Sequence, residues 1–236
     1  MVLLLFVVVG FLSALASAVF GFGTALFFLA IGSHLLDVKD TIVLATVLFA
    51  ASTITKSILY RRHVDWRIVG VMAISCLPFA YGGSLLLAQV PGDLVKRLLG
   101  SMVLCYVILK HIGRLPAVRI GWGGLVVGSA LYGFVSGLVG SGNLIKVILF
   151  REMQISRQAF VGAMAATSVM SNLAKLSGYW QSGLLTAHMF APSVALVFSA
   201  IAAALLGRFV LNRISARNFE TGLQILMVIA ALALLF

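Results

Sequence analysis

The sequence predicts an all-α, polytopic transmembrane protein made of two inverted structural repeats, each starting with a Gly-hinged broken or re-entrant helix. Three observations carry that expectation. The 236-residue chain is 62% hydrophobic and 10% charged, whereas a soluble domain carries about 25% charge. Its apolar residues gather into segments long enough to span a bilayer, joined by short connections. A set of small and polar residues also recurs at one fixed offset along the chain.

The first 36 residues carry no charge before Asp37. As one helix they would run about 54 Å at 1.5 Å per residue, far more than a hydrocarbon core of about 30 Å. Tilt does not absorb that excess, so the stretch is expected to break at Phe20-Gly21-Phe22-Gly23-Thr24, giving helical pieces over 2–20 and 24–36. A second break is expected at Val139-Gly140-Ser141-Gly142-Asn143. Irregular backbone at membrane depth survives only in protein or beside a wet cavity, and two such places in corresponding positions point to a transporter's binding site.

The remaining apolar segments read as 40–60, 67–88, 94–112, 121–139 with a continuation over 143–150, 158–177, 184–206 and 219–236. Trp66, Trp122 and Trp180 fall at segment ends, where interfacial tryptophans belong. Pro78 and Pro192 lie inside the 67–88 and 184–206 segments and are expected to kink them. Pro91 and Pro116 fall in loops. No loop is long enough for a soluble domain, so 1–236 reads as one membrane domain. The start mimics a secretory signal, with an apolar run before Ala16-Ser17-Ala18, but has no positive n-region. The repeat uses these residues, so the segment is expected to be retained.

Adding 119 to positions in the first half aligns Leu12 with Leu131, Ser17 with Ser136, Gly21 with Gly140 and Gly23 with Gly142. The same shift aligns Ser52 with Ser171, Lys56 with Lys175 and Tyr60 with Tyr179, the pattern Ser-x-x-x-Lys-x-x-x-Tyr twice over. Repeat 1 is read as 1–113 and repeat 2 as 120–236. If each hinged unit returns to the side it entered from, one face holds 11 Lys and Arg and the other 3; single crossings would split them 8 to 6. The lopsided count agrees with the positive-inside rule. Each half then crosses an odd number of times, the halves are inverted, and both termini lie outside the cytoplasm.

The net charge of +11 reads as topology and membrane surface. The basic residues form no continuous patch, which argues against nucleic acid. Cys76 and Cys105 lie in apolar segments without metal or redox spacing. Asp37, Asp40, Asp65, Asp93, Glu152 and Glu220 all sit at segment ends or in loops, so a carboxylate proton relay is unsupported. His34, His63, His111 and His188 read as interfacial, with no metal-ligand spacing. The intramembrane serines have no histidine at helical spacing, so no catalytic constellation emerges. No enzyme activity, metal or cofactor is expected.

The hinges are where chemistry is expected. A helix starting inside the membrane leaves backbone N–H groups unpaired near Gly23, Thr24 and Ala25 and near Gly142, Asn143 and Leu144. Two such ends together would hold an anion through the helix dipoles, with Thr24, Ser141 and Asn143 as side-chain donors. Close helix packing also uses glycines. Lys146 lies within the short second piece, where an ammonium needs a cavity or counter-ion unless it snorkels. It reads as a countercharge for an anion. Lys56 and Lys175, each flanked by Ser at i−4 and Tyr at i+4, read as matching basic gates toward opposite membrane faces. The expected anion-binding set is Gly21, Phe22, Gly23, Thr24, Lys56, Gly140, Ser141, Gly142, Asn143, Lys146, Lys175 and Tyr179.

Gly21-Phe22-Gly23-Thr24-Ala25-Leu26, its repeat Gly140-Ser141-Gly142-Asn143-Leu144-Ile145-Lys146, and Arg157-Gln158-Ala159-Phe160 followed by Ala165-Ala166-Thr167-Ser168 resemble the TauE/SafE sulfite exporter family, also called the toluene-sulfonate uptake permeases. The resemblance covers both halves. Many members carry a third glycine and a nearby proline after each Gly-x-Gly, where this chain has Thr24 and Asn143. The resemblance implies a secondary transporter of small sulfur-containing or organic anions (sulfite, sulfonates such as sulfoacetate, thiosulfate) in a prokaryotic inner membrane. It implies that the hinge residues border the substrate. An anion channel and a non-transporting accessory protein remain as alternatives. The partners expected are a small anion and the lipid bilayer, with a homodimer left open.

Overall fold

The computed structural model describes residues 2–20, 24–111, 121–151 and 156–213. Among these every regular element is helical: α1 (Val2–Phe20), α2 (Thr24–Leu35), α3 (Val38–Tyr60), α4 (Trp66–Gln89), α5 (Gly92–His111), α6 (Trp122–Val139), α7 (Asn143–Arg151), α8 (Arg157–Gln181) and α9 (Phe190–Arg213). Four stretches are long and apolar enough to cross a membrane: Val38–His63, Trp66–Gln89, Trp122–Val139 and Ala187–Val210. The chain is an all-α membrane protein. The expected segment 219–236 and the first hinge, 21–23, lie outside the described residues, as does Pro116.

The helix ends follow from local chemistry. The Asp37 carboxylate accepts from the Lys39 amide at the start of α3, and that of Asp65 from the Arg67 and Ile68 amides at the start of α4. The Ser156 hydroxyl accepts from the Ala159 amide at the start of α8. Each satisfies an otherwise orphaned donor, which explains why these acids lie at segment ends. The Pro91 carbonyl accepts from the Leu94 and Val95 amides and so opens α5. Pro192 departs from expectation. The span begins at Phe190, not near 184, so Pro192 lies in the first turn of α9, where its missing N–H costs nothing. Pro78 is internal to α4, which continues as helix through it.

Two units fold back on themselves. In the first, the Phe6 and Phe28 rings meet at 4.9 Å, and a Cβ at Gly32 would approach Phe6, so α2 returns along α1. In the second, a Cβ on Gly142 would meet Tyr132, and one on Gly128 would meet Leu149, so α7 returns along α6. At 9 residues, α7 is about 14 Å long and does not cross. The turn between α6 and α7 is made at Gly140, at φ 83°, a backbone region that glycine enters without steric cost.

Helix directions can be read from which residues meet. The carbonyls of Cys76 and Ala80 lie against Gly133 and Gly137 respectively, and Arg67 stacks 5.1 Å over the Trp122 ring. Helices α4 and α6 therefore run parallel from the same end. Gly10 lies against Leu196 and Gly207 against Ala18, so α1 and α9 are also parallel. Tyr60 and Val64 pack on Gly162, while the Asn172 amide donates to Thr53 Oγ1 at 3.2 Å, so α3 and α8 are antiparallel. One end gathers exposed Arg61, Arg62, Arg67, Arg208 and Arg213. At the other, Lys39 Nζ ties the start of α3 to the Ala88 carbonyl near the end of α4 at 3.0 Å.

The glycines of α6 bring its backbone against α4. Gly133→Ala should overpack this contact by about 1–3 kcal/mol and lower the thermal unfolding midpoint in detergent. Gly123→Ala, where nothing lies within 4 Å, should leave it unchanged or slightly raised.

Candidate functional site

A cavity lies where α3, α6, α7 and α8 converge, with α1 and α2 contributing Ser17 and Ala25. Its volume is about 30 Å³, against roughly 10–15 Å³ for one water. It has room for about two waters or one compact anion. Among the described residues its wall carries two lysines, Lys56 and Lys175, and no Asp or Glu. Thr53 and Asn172, joined by their hydrogen bond, are one helical turn before Lys56 and Lys175 respectively.

The three interior lysines differ in how their donors are used. An ammonium has three N–H donors, and burying one without acceptors is costly. Lys146 is wholly buried. Its Nζ donates to the Met164 carbonyl at 2.8 Å, to Thr167 Oγ1 at 3.3 Å and, through a short contact, to Ser168 Oγ. It also lies 4.6 Å from the Tyr132 ring centroid, a cation–π geometry. Lys146 is thus a saturated charge just behind the wall, held by Tyr132, Met164 and Ser168, which do line the cavity.

Lys56 and Lys175, 3% and 1% exposed, are sparsely partnered. Lys56 Nζ donates to Ser17 Oγ at 2.8 Å, and Lys175 Nζ donates to the Gly140 carbonyl at 3.1 Å. Each retains N–H capacity beside the cavity. Ser141 Oγ, at the wall just before α7, is buried and has no partner. Asn143, the first residue of α7, is on the wall too. Two lysines with N–H capacity left and an unpartnered Ser141 hydroxyl make this wall rich in donors.

Of the predicted set, Lys56, Gly140, Ser141, Asn143 and Lys175 come together at this cavity. Lys146 stands behind it. Gly142 packs against Tyr132. Tyr179 is buried, its hydroxyl donating to the Gly137 carbonyl at 2.8 Å, and is not on the wall. Gly21, Phe22 and Gly23 lie outside the described residues, and so does the side chain of Thr24. Lys56 and Lys175 line one chamber, on opposite sides of the Thr53–Asn172 contact. Sequence reasoning missed Ser17, Thr53, Tyr132, Ser136, Ser168 and Asn172 as wall residues. The usable signal was polarity inside apolar segments: Ser17 and Ser136 share the 119 offset, and so do Thr53 and Asn172.

The profile described as Sulfite exporter TauE/SafE matches residues 6–234, nearly the whole chain. The chain belongs to the TauE/SafE family. It is accordingly a membrane transporter of the sulfite-exporter type. Comparisons with curated proteins and with solved structures gave no match.

Ser141→Ala removes a buried hydroxyl that no protein group satisfies. It should leave unfolding stability unchanged or slightly higher and weaken anion binding about tenfold, the scale of one hydrogen bond to a charged group. Calorimetric titration with sulfite, beside thermal unfolding, measures both.

Proposed function

We propose that this TauE/SafE protein exports small sulfur-containing or organic anions, such as sulfite and short sulfonates including sulfoacetate, across the bacterial inner membrane. The anion binds between Lys56 and Lys175 and moves by alternating access. The observation that carries this reading is that two incompletely partnered lysines, one from each half of the chain, share one carboxylate-free cavity. Ser141 Oγ and the opening turn of α7 supply further donors, and Lys146 adds a fixed positive field at short range.

The two-repeat reading, 1–113 and 120–236, draws support from the packing. Helices α1, α3 and α4 correspond by the 119 offset to α6, α8 and α9. The parallel pair α1 with α9 is then the counterpart of the parallel pair α6 with α4. Helix α3 runs opposite to its own counterpart α8, the relation that inverted halves require. With the arginine-rich end in the cytoplasm, the start of α1 lies outside it, and the expected segment 219–236, beyond the described residues, would carry the C-terminus to the same side. A cytoplasm-negative potential then favours anion exit by about 2.3 kcal/mol per charge at 100 mV. The exposed apolar faces of α1 and α9 meet lipid or, in a homodimer, a second copy.

A thermal-shift panel tests the reading. Sulfite, methanesulfonate and sulfoacetate at about 100-fold their Kd should each stabilise the protein by about 2.7 kcal/mol. Lys56→Met and Lys175→Met should remain folded, lose the shift, and lose efflux in proteoliposomes. No shift with any anion, or wild-type efflux in both variants, would refute it.

A further inference from the structure

Tyr60 and Tyr179 occupy the same place in the two halves, four residues past Lys56 and Lys175, yet their hydroxyls are in different states. Tyr179 donates to the Gly137 carbonyl at 2.8 Å. That carbonyl belongs to the last turn of α6, whose carbonyls lack intrahelical partners. The bond ties α8 to the hinge end of α6. Tyr60 is buried as well, at 3% exposed, but its hydroxyl has no partner. The counterpart of Gly137 under the 119 offset is Ala18, in the last turn of α1. A buried hydroxyl without a partner and an end-of-helix carbonyl therefore occupy the positions that are joined in the other half.

The lysines are unequal in the same sense. Lys175 donates to the Gly140 backbone carbonyl at the hinge, whereas Lys56 donates to the Ser17 side chain. Ser136, the counterpart of Ser17, also lines the cavity without receiving Lys175. A symmetric sequence pattern thus carries an asymmetric set of bonds. In a carrier built from inverted halves, exchanging the two halves' conformations turns one facing state into the other.

We propose that Tyr60 and Tyr179 are reciprocal latches, one per half, of which one is closed at a time. The described conformation has the Tyr179–Gly137 latch closed. In the opposite-facing conformation Tyr60 donates to the Ala18 carbonyl, Tyr179 releases Gly137, and Lys175 turns to Ser136. An unpartnered buried hydroxyl normally destabilises; here it is the open half of a two-state device. The tyrosines are positioning residues, acting through the helices that carry the anion's ligands. The proposal rests on the alternating-access reading above.

The test uses the full chain with Cys76→Ala and Cys105→Ala, reconstituted and active in sulfite efflux, with Ala165→Cys (or Ala25→Cys) as a cavity reporter. Labelling by a membrane-impermeant thiol reagent is measured from each side. The parent should label from both sides. Tyr179→Phe and Tyr60→Phe should shift the ratio of the two rates in opposite directions, each by about fivefold, the effect of one hydrogen bond, and the double variant should return toward the parent. Parent labelling from one side only would remove the two-state carrier and the latches with it. Two-sided parent labelling with both tyrosine variants unshifted or shifted the same way would overturn the latches alone.

Discussion

The constraint on which this structure depends is the burial of three lysine side chains in a bilayer-embedded protein with no acid beside them among the described residues. A bare ammonium at such depth is expensive, and the chain meets that cost in two ways. Around Lys146 it supplies a carbonyl, two hydroxyls and an aromatic face, so the charge is fully provided for. Around Lys56 and Lys175 it supplies one acceptor each. The difference separates a lysine that is part of the fold from two that remain available to a guest.

The helix framework makes that difference geometrically sustainable. Glycines on α6 let its backbone lie against α4, which fixes where α6 ends. Gly140, in its left-handed conformation, then turns the chain so that Ser141 and Asn143 reach the same chamber as both lysines. The antiparallel crossing of α3 and α8 is closed by Asn172 and Thr53, two residues that occupy equivalent sequence positions. The lysines one turn beyond that contact line a common space.

Much of this was legible in the residues. The helical segments followed from charge-free runs, and the break at 140–142 followed from glycines in a run whose continuation could not span the membrane. The lysine pair followed from the 119 offset. What could not be read depended on contacts between distant segments. Thr167 and Ser168 reach Lys146 only because α8 packs beside the hinge, so its saturation has no local signature. Pro192 looked internal because apolar content runs back to Leu184, but the helix begins only after the short turn at Ala187–Met189. Ser17, Thr53 and Asn172 looked like ordinary small polar residues of membrane helices until the two halves were brought together. The unequal bonding of Tyr60 and Tyr179 is a property of one conformation and is written in no sequence pattern.

Location of a heavy anion in the protein is the most direct measurement. Selenite, a compact pyramidal oxyanion with an anomalous scatterer, can be soaked into crystals of the wild-type protein and its position found by anomalous diffraction. A selenium peak between Lys56 and Lys175, with its oxygens about 3 Å from the lysine Nζ atoms and Ser141 Oγ, is the predicted result. A peak beside Lys146 alone, at the arginine-rich surface, or nowhere in the protein would contradict a seat shared by the two halves.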